Sequence, residues 1–297
     1  MTGETDAMPV IFGEVLFDCF PDGNSVLGGA PFNVAWHLQA FGLSPLMVSS
    51  IGDDKLGDKV RTAMQDWSMS TAGLQLDPVH PTGSVDIEFD NGEPSYTIVE
   101  QRAYDHISAE LLPSLPENSL LYHGTLALRN PVSRQALTQL KSQHSGTLFM
   151  DVNLREPWWD RKFVLQMVDD ADWVKLNQDE LILLGNAEGA IETQAGRFKD
   201  TYRLKGLIVT LGASGALALT DDGDPVYVEP SHTLDVVDTV GAGDAFTSVL
   251  ILGITSGWPL DITMQRAQKF ASMIVGQQGA TVHNHEFYRA LKADWDI

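Results

Sequence analysis

The chain has little cysteine, little positive charge and no long apolar run. Its one cysteine, Cys19, excludes an intramolecular disulfide, so we expect a protein of the reducing cytoplasm. Its 19 Lys and Arg residues stand against 40 Asp and Glu, and the net charge is -21. Because such a surface repels phosphate backbones and anionic headgroups, we expect neither nucleic acid nor a membrane as a partner.

The apolar residues are numerous but come in short runs. None approaches the roughly 18 to 20 residues that a membrane span needs. The N-terminal sequence MTGETDAMPVIFGEVLF has neither the basic start nor the apolar core of a signal peptide, so we expect none. With 297 residues, 43% of them hydrophobic, the chain can bury a substantial core.

Strand-like and helix-like segments alternate along most of the chain. Several strand candidates are apolar throughout, which is typical of strands covered on both faces. These candidates lie at 10–17, 46–52, 119–124, 147–153, 172–177, 206–212 and 216–220. Helical periodicity marks 31–42, 55–67, 132–142, 160–170, 178–185 and nearly everything after residue 243. The alternation predicts an α/β fold with a central, mainly parallel sheet flanked by helices.

One stretch, 82–100, differs from this pattern. It alternates as two strands around DNGEP, a turn sequence, and so predicts a hairpin with one exposed face. Such a hairpin could lie over a site as a lid, pair with a second subunit, or be an edge without function. We expect one domain over 1–297 with this small β appendage.

A glycine turn precedes the C-terminal helical region. In DTVGAGDAF (238–246), Gly241, Ala242 and Gly243 lead into a helix near Asp244. Unpaired first-turn N–H groups and flexible glycines form an anion site, and an adjacent carboxylate can take a proton from an attacking hydroxyl. That combination is what phosphoryl transfer needs. The alternative is that Asp244 merely caps the helix.

A second glycine segment lies near the N-terminus. GGAPFNVAWHLQAFG (28–42) places Asn33 after two glycines at the start of a predicted helix. Upstream, GEVLFD (13–18) ends with Asp18, whose two acceptor oxygens suit vicinal hydroxyls. These groups favour a polyol ligand, although each signal alone is weak.

Taken together, these segments resemble the ribokinase-like (PfkB) family of carbohydrate kinases. The two glycine segments match the family's two signatures in order and spacing. GEVLFD, DVNLR (151–155), NQDE (177–180) and VTLGASGA (209–216) also match, so the resemblance spans nearly the whole chain.

The resemblance implies a ribokinase-like fold with a β lid, formed by about 82–104 with a contribution from about 14–26. It implies that Asp244 is the base and that the Gly241–Gly243 turn holds the transferred phosphoryl group. Mg²⁺ would be organised through water by Asn177 and Glu180. A monovalent cation, K⁺ by hypothesis, would lie at Asp238 and the Val240 carbonyl.

The same resemblance assigns two ligand sites. The residues implied for ATP are Thr210, Gly212, Gly215, Gly241, Gly243 and Gly279. The residues implied for the sugar are Asp18, Gly29, Asn33, Arg155 and Asp244, with help from the lid.

The substrate is open among several sugars. The sequences GGAPFN, AYD (103–105), HGTLALR (123–129) and DVNLR are similar to the fructokinase branch, so fructose is the first expectation. A neighbouring branch acts on 2-keto-3-deoxygluconate, whose carboxylate Arg155 could bind. Ribose, tagatose or a nucleoside, and a silent sugar or nucleotide sensor, are further alternatives. The hairpin and family precedent suggest a homodimer.

Overall fold

The computed structural model describes residues 8–90, 93–115, 117–185, 188–221, 223–230, 239–277 and 279–297. The strands are β1 (Pro9–Phe12), β2 (Leu16–Cys19), β3 (Ser25–Gly28), β4 (Leu46–Gly52), β5 (Leu74–Asp77), β6 (Gly83–Asp90), β7 (Glu93–Ile98), β8 (Leu120–His123), β9 (Thr147–Asp151), β10 (Trp173–Asn177), β11 (Gly206–Thr210), β12 (Ala216–Thr220) and β13 (Val226–Val228). The helices are α1 (Ala30–Phe41), α2 (Lys55–Asp66), α3 (Pro131–Gln143), α4 (Arg161–Asp170), α5 (Gln178–Gly185), α6 (Ile191–Tyr202), α7 (Ala242–Ser256), α8 (Leu260–Val275) and α9 (His285–Trp295).

The strands form one large and one small sheet. The large sheet has the order β13-β12-β11-β10-β9-β8-β1-β4-β5. Its strands from β11 to β5 pair in parallel, whereas β12 and β13 pair antiparallel. This arrangement confirms the predicted α/β class and places the carboxyl ends of the parallel strands along one edge, where ligands of open α/β sheets bind.

Helices cover both faces of the large sheet. Successive strand side chains point to opposite faces, so Ile208 packs in one cluster with α1, α2, α7, α8 and α9, while Leu207 and Val209 pack in the other with α3 to α6. Both clusters are built from buried apolar residues, which stabilise the sheet from either side. Within the described part of the chain, no helix has the length and apolarity to cross a bilayer.

The small sheet has the order β3-β2-β6-β7 and fits the predicted lid. The hairpin expected at 82–100 is present as β6 and β7, which pair antiparallel from Val85 with Ile98 to Asp90 with Glu93. β2 and β3 complete it from the N-terminal side. The hairpin does not extend to residue 104, because a 3-10 helix begins at Ala103.

The single strand predicted at 10–17 was wrong. The structure divides it into β1 in the large sheet and β2 in the small one. Gly13 lies between them with φ of 153°, and a Cβ there would come within 2.4 Å of Pro31 Cγ. This close packing against the start of α1 requires glycine, and the chain leaves the large sheet at that point. Helix α6 and strands β5 and β13 were not predicted.

Candidate active site

The centre of the site is a hydrogen bond between the two glycine segments. Asn33 Nδ2 donates to Asp244 Oδ2 over 2.8 Å, joining residues 211 positions apart. Asn33 is buried in the first turn of α1, whereas Asp244 is partly buried in the first turn of α7. The carboxylate therefore receives a side-chain amide and is not used to cap its own helix, which removes the capping interpretation.

The first turn of α7 presents N–H groups that have no acceptor within the helix, although Ala242 N makes a long 3.5 Å bond to the Thr239 carbonyl before it. Gly241 is the N-cap with φ of 79°, and the Ala245 N–H already bonds the Gly241 carbonyl at 2.8 Å. The N–H groups of Ala242, Gly243 and Asp244 have no intrahelical acceptor by position and carry the positive end of the helix dipole. Gly243 is exposed, so its backbone is open to a ligand. We name the Gly241–Gly243 turn the cradle.

The environment of Asp244 suits a proton acceptor. Loss of hydration raises its pKa from 3.8 to about 6. The hydrogen bond from Asn33 and the positive charges of Lys175 and Arg155 act in the opposite direction, and the Asp151 charge adds to the rise. A carboxylate with a pKa near 6 is ionised at neutral pH and is still basic enough to accept a proton.

Two buried groups beside Asp244 were missed in the sequence. Burial raises the pKa of Glu14 to about 7, with Arg155 opposing the rise and Asp244 adding to it. Glu14 Oε2 has no hydrogen-bond partner within the described structure, and neither has the buried hydroxyl of Tyr122, which the charges of Asp244 and Glu14 also influence. Such unpaired groups are costly unless water or a ligand pairs with them. The signal for Glu14 was its place within GEVLFD.

The residues proposed for the sugar are brought together only in part. Gly29 is the N-cap of α1 with φ of 107°, and a Cβ there would meet the Glu14 carbonyl at 2.8 Å. Arg155 is exposed, and its charge influences both Glu14 and Asp244. Asp18 lies in β2 of the lid, where burial raises its pKa. Among the described contacts, none joins Asp18 to the pair formed by Asn33 and Asp244.

Three of the residues proposed for ATP lie at a strand end or at open glycine positions. Thr210 ends β11, and Gly212 follows it with φ of 58° and open space around its Cβ position. Gly279 is likewise open, with φ of 80°, and its neighbour Ala280 contacts Gly241 closely, since a Cβ on Gly241 would lie 2.5 Å from Ala280 Cα. Gly279 thus lies one residue away from a contact with the cradle.

Gly215 differs from these open glycines. A Cβ on it would lie 1.8 Å from the Val228 carbonyl oxygen, so it is required for close packing of β13. Its φ of 90° also favours glycine. The observed contact therefore accounts for this glycine without a ligand.

The residues proposed for Mg²⁺ bind one another. Asn177 N donates to Glu180 Oε2 at 2.8 Å, Glu180 N donates to Asn177 Oδ1 at 2.9 Å, and Leu154 N donates to Glu180 Oε1 at 2.7 Å. Since these backbone bonds already engage both carboxylate oxygens, the pair suits an ion held through water better than a directly bound one. The described residues contain no group of three or more His, Cys, Asp or Glu arranged for a metal.

The residues proposed for a monovalent cation can be followed only in part. Asp238 lies outside the described residues. Val240 is half exposed beside the cradle.

A buried ion pair beneath the cradle was also missed. Lys175 Nζ binds Asp151 Oδ2 over 2.7 Å, and both side chains are almost wholly buried. The signal was a lysine inside the apolar strand sequence WVKLN, because lysine is rarely buried without a partner.

Comparisons with known proteins agree with this geometry. The pfkB family carbohydrate kinase model matches residues 20–286. Fructokinase of Salmonella typhimurium is 28% identical over 269 residues, covering 85% of this chain and 86% of that protein. Aminoimidazole riboside kinase of the same species is 29% identical over 264 residues, covering 82% and 80%. Fructokinase of Vibrio cholerae O395, in a crystal structure with fructose, ADP and calcium, superposes with a TM-score of 0.81 at 26% identity, covering 96% of this chain and 99% of that one. The chain therefore belongs to the pfkB family and is a carbohydrate kinase.

Proposed function

We propose that this kinase transfers the γ-phosphoryl group of ATP to fructose, forming fructose 6-phosphate and ADP. The observation that carries the proposal is the 2.8 Å hydrogen bond from Asn33 to Asp244, which joins a sugar-binding segment to a base beside an anion cradle. The fructokinases among the relatives support fructose in particular. The aminoimidazole riboside kinase, equally similar, keeps a riboside as the main rival.

In the proposed reaction, Asp244 accepts the proton of the sugar hydroxyl as its oxygen attacks the γ-phosphorus. The bond between that phosphorus and the β,γ-bridging oxygen breaks, and ADP leaves. Asn33 fixes one carboxylate oxygen, which leaves Oδ1 to face the hydroxyl. The N–H groups of the cradle stabilise charge on the equatorial oxygens of the transferred group.

We assign ATP to Thr210, Gly212 and Gly279, together with the cradle. We assign water-mediated contact with Mg²⁺ to Asn177 and Glu180, and contact with K⁺ to Asp238 and the Val240 carbonyl. When bound with the nucleotide, Mg²⁺ supplies positive charge that an acidic chain otherwise lacks near the phosphates.

Arg155 decides between a neutral and an acidic sugar in this scheme. Its guanidinium Nη1 donates to the Leu154 carbonyl at 3.0 Å, and its charge faces Glu14 and Asp244. A keto acid such as 2-keto-3-deoxygluconate would place its carboxylate on this guanidinium. A neutral ketose would leave Arg155 to offset the charge of Glu14.

The test is ADP release with ATP, Mg²⁺ and K⁺ across fructose, 2-keto-3-deoxygluconate, ribose, tagatose, adenosine, inosine and aminoimidazole riboside. We expect the highest kcat/KM on fructose, and phosphate on its 6-oxygen by NMR. Preference for the keto acid or for a riboside would replace fructose with that substrate. If ATP and a sugar bind by calorimetry and no ADP forms with any acceptor, the sensor alternative replaces the kinase reaction proposed here.

A further inference from the structure

The pair formed by Lys175 and Asp151 lies directly below the first turn of α7. The two residues are register partners on the parallel strands β10 and β9, at or near their carboxyl ends. Their side chains are 8% and 3% exposed, so both charges are removed from water. Burying two charges is costly, and a well-packed apolar pair is often equally stable. Stability alone therefore does not account for this pair.

A hydroxyl connects the pair to the cradle. Thr247 Oγ1 donates to Asp151 Oδ2 at 2.9 Å and lies 2.9 Å from the Gly243 carbonyl oxygen, one helical turn earlier. Lys175 Nζ lies 3.7 Å from the position that a Cβ on Gly243 would occupy. The sheet edge and the first turn of α7 thus share one buried polar network.

The same pair acts on the proposed base. Four charged side chains face Asp244 or its immediate neighbours: Lys175 from β10, Asp151 from β9, Arg155 from the segment after β9 and Glu14 from the segment after β1. Lys175 lowers the pKa of Asp244, and Asp151 raises it. The two charges of the pair therefore have opposite effects on the pKa of Asp244.

We propose that Lys175 and Asp151 are positioning residues for phosphoryl transfer, which hold the first turn of α7 so that the Gly243 N–H and the Asp244 carboxylate meet the reacting atoms. Thr247 carries this constraint from the strand pair to the helix. The inference rests on the kinase reaction proposed at Asp244, but not on which sugar accepts the phosphoryl group.

The decisive variant replaces both charges by apolar groups of similar length, Asp151→Leu with Lys175→Met. No charge is then left buried without a partner, so we expect a folded protein with a melting temperature near that of the wild type. We expect kcat to fall about 10- to 100-fold, because small misplacements of reacting groups have effects of that size. The KM for the sugar should change less than about threefold, since Asp244 is the one residue assigned to the sugar that this pair is proposed to hold.

Single changes extend the test, and Thr247→Val, which leaves the ion pair intact, also serves if the double variant does not fold. Thr247→Val keeps the shape of the side chain but removes the hydroxyl that connects Asp151 to the Gly243 carbonyl, so kcat should fall several-fold. Thr247→Ser keeps the hydroxyl and should keep kcat near that of the wild type. Lys175→Met should move the acid limb of kcat to higher pH, because a positive charge near Asp244 is lost. Lys199→Met is the matched control, since Lys199 is another buried lysine, paired with Asp221 away from α7. It should alter neither kcat nor the acid limb.

The results separate this inference from the proposed function. Active wild type with a folded double variant that keeps kcat within twofold would overturn the positioning role. The positioning role would also be overturned if kcat falls only in proportion to the loss of folded protein and the acid limb of Lys175→Met does not move. The pair would then contribute to folding alone. Wild type that phosphorylates no acceptor would overturn the proposed kinase reaction, and this inference with it.

Discussion

Replacing Asp244 by Asn should make the protein more stable and much less active. The pKa of Asp244 is raised from 3.8 to about 6, so the folded chain holds this proton more tightly than the unfolded chain does. The stability that the protonated group contributes is complete below pH 4 and lost as pH rises through 6. A shift of about 2 pKa units corresponds to at most about 3 kcal/mol of unfolding free energy at pH 8.

The Asn variant does not titrate, and its Oδ1 can accept the same hydrogen bond from Asn33. We therefore expect its melting temperature at pH 8 to exceed that of the wild type by about 2 to 6 °C. The difference should shrink steadily to nothing near pH 4. Because the proton acceptor is lost, kcat should fall by about 10² to 10⁴, while ATP affinity by calorimetry stays within about twofold.

The same substitution at Asp54 provides a control with the opposite sign. Burial acts to raise the pKa of Asp54, but hydrogen bonds from Thr82 and Gly57 hold it below its usual value. These bonds are 2.8 Å long and engage both carboxylate oxygens. The NH2 group of an Asn side chain would therefore face an N–H or O–H donor and could not accept its hydrogen bond. Asp54→Asn should thus lower the melting temperature at pH 8. A destabilised Asp244→Asn protein, or one with wild-type turnover, would refute the reasoning.

Four further changes test other parts of the site. In Gly243→Ala the new Cβ would lie 3.7 Å from the nearest atom, so kcat should fall while the melting temperature is unchanged. In Gly241→Ala the new Cβ would lie 2.4 Å from Ala280, so both kcat and the melting temperature should fall. Arg155→Gln should reduce kcat/KM at least tenfold on an acidic sugar but only a few-fold on fructose. If Asp238 and Val240 hold a cation, replacing K⁺ by tetramethylammonium should lower the rate several-fold, and an equal rate would remove that site.

The sequence predicted what depends on local pattern. Alternation of short apolar runs and helical periodicity predicted the α/β class, and period-two alternation predicted the hairpin now seen as β6 and β7. It failed at Gly13, where the need for glycine arises from contact with Pro31 and the strand is divided in two. A close contact between residues that are distant in the chain leaves little signal in the local sequence pattern.

The same distinction applies to the site. Asp244 and Asn33 were identifiable because each stands beside a glycine turn with its own signature. Lys175, Asp151 and Glu14 were not, because their significance depends on partners in other strands and on burial, both of which arise from tertiary packing. A charged residue within an apolar strand was the usable signal, and it marks a position without naming its partner.

Glu14 offers the last test, because the charge of Asp244 influences its titration. Burial raises the pKa of Glu14 to about 7 and the Asp244 charge adds to the rise, whereas the pKa of Asp244 is about 6, so we expect Asp244 to ionise first. We expect two ionisations in the pH profile of kcat/KM, near 6 and near 7, as properties of the pair.

Glu14→Gln should remove the ionisation near 7 and leave the acid limb near 6 in place. Asp18→Asn is a comparison variant in the lid, where no described contact reaches Asp244, and it should keep both ionisations. If Glu14→Gln instead removes the limb near 6, the order of ionisation is reversed and Glu14 is the group that must lose its proton for turnover. In that event Glu14 would be the proton acceptor and Asp244 the neighbouring acid.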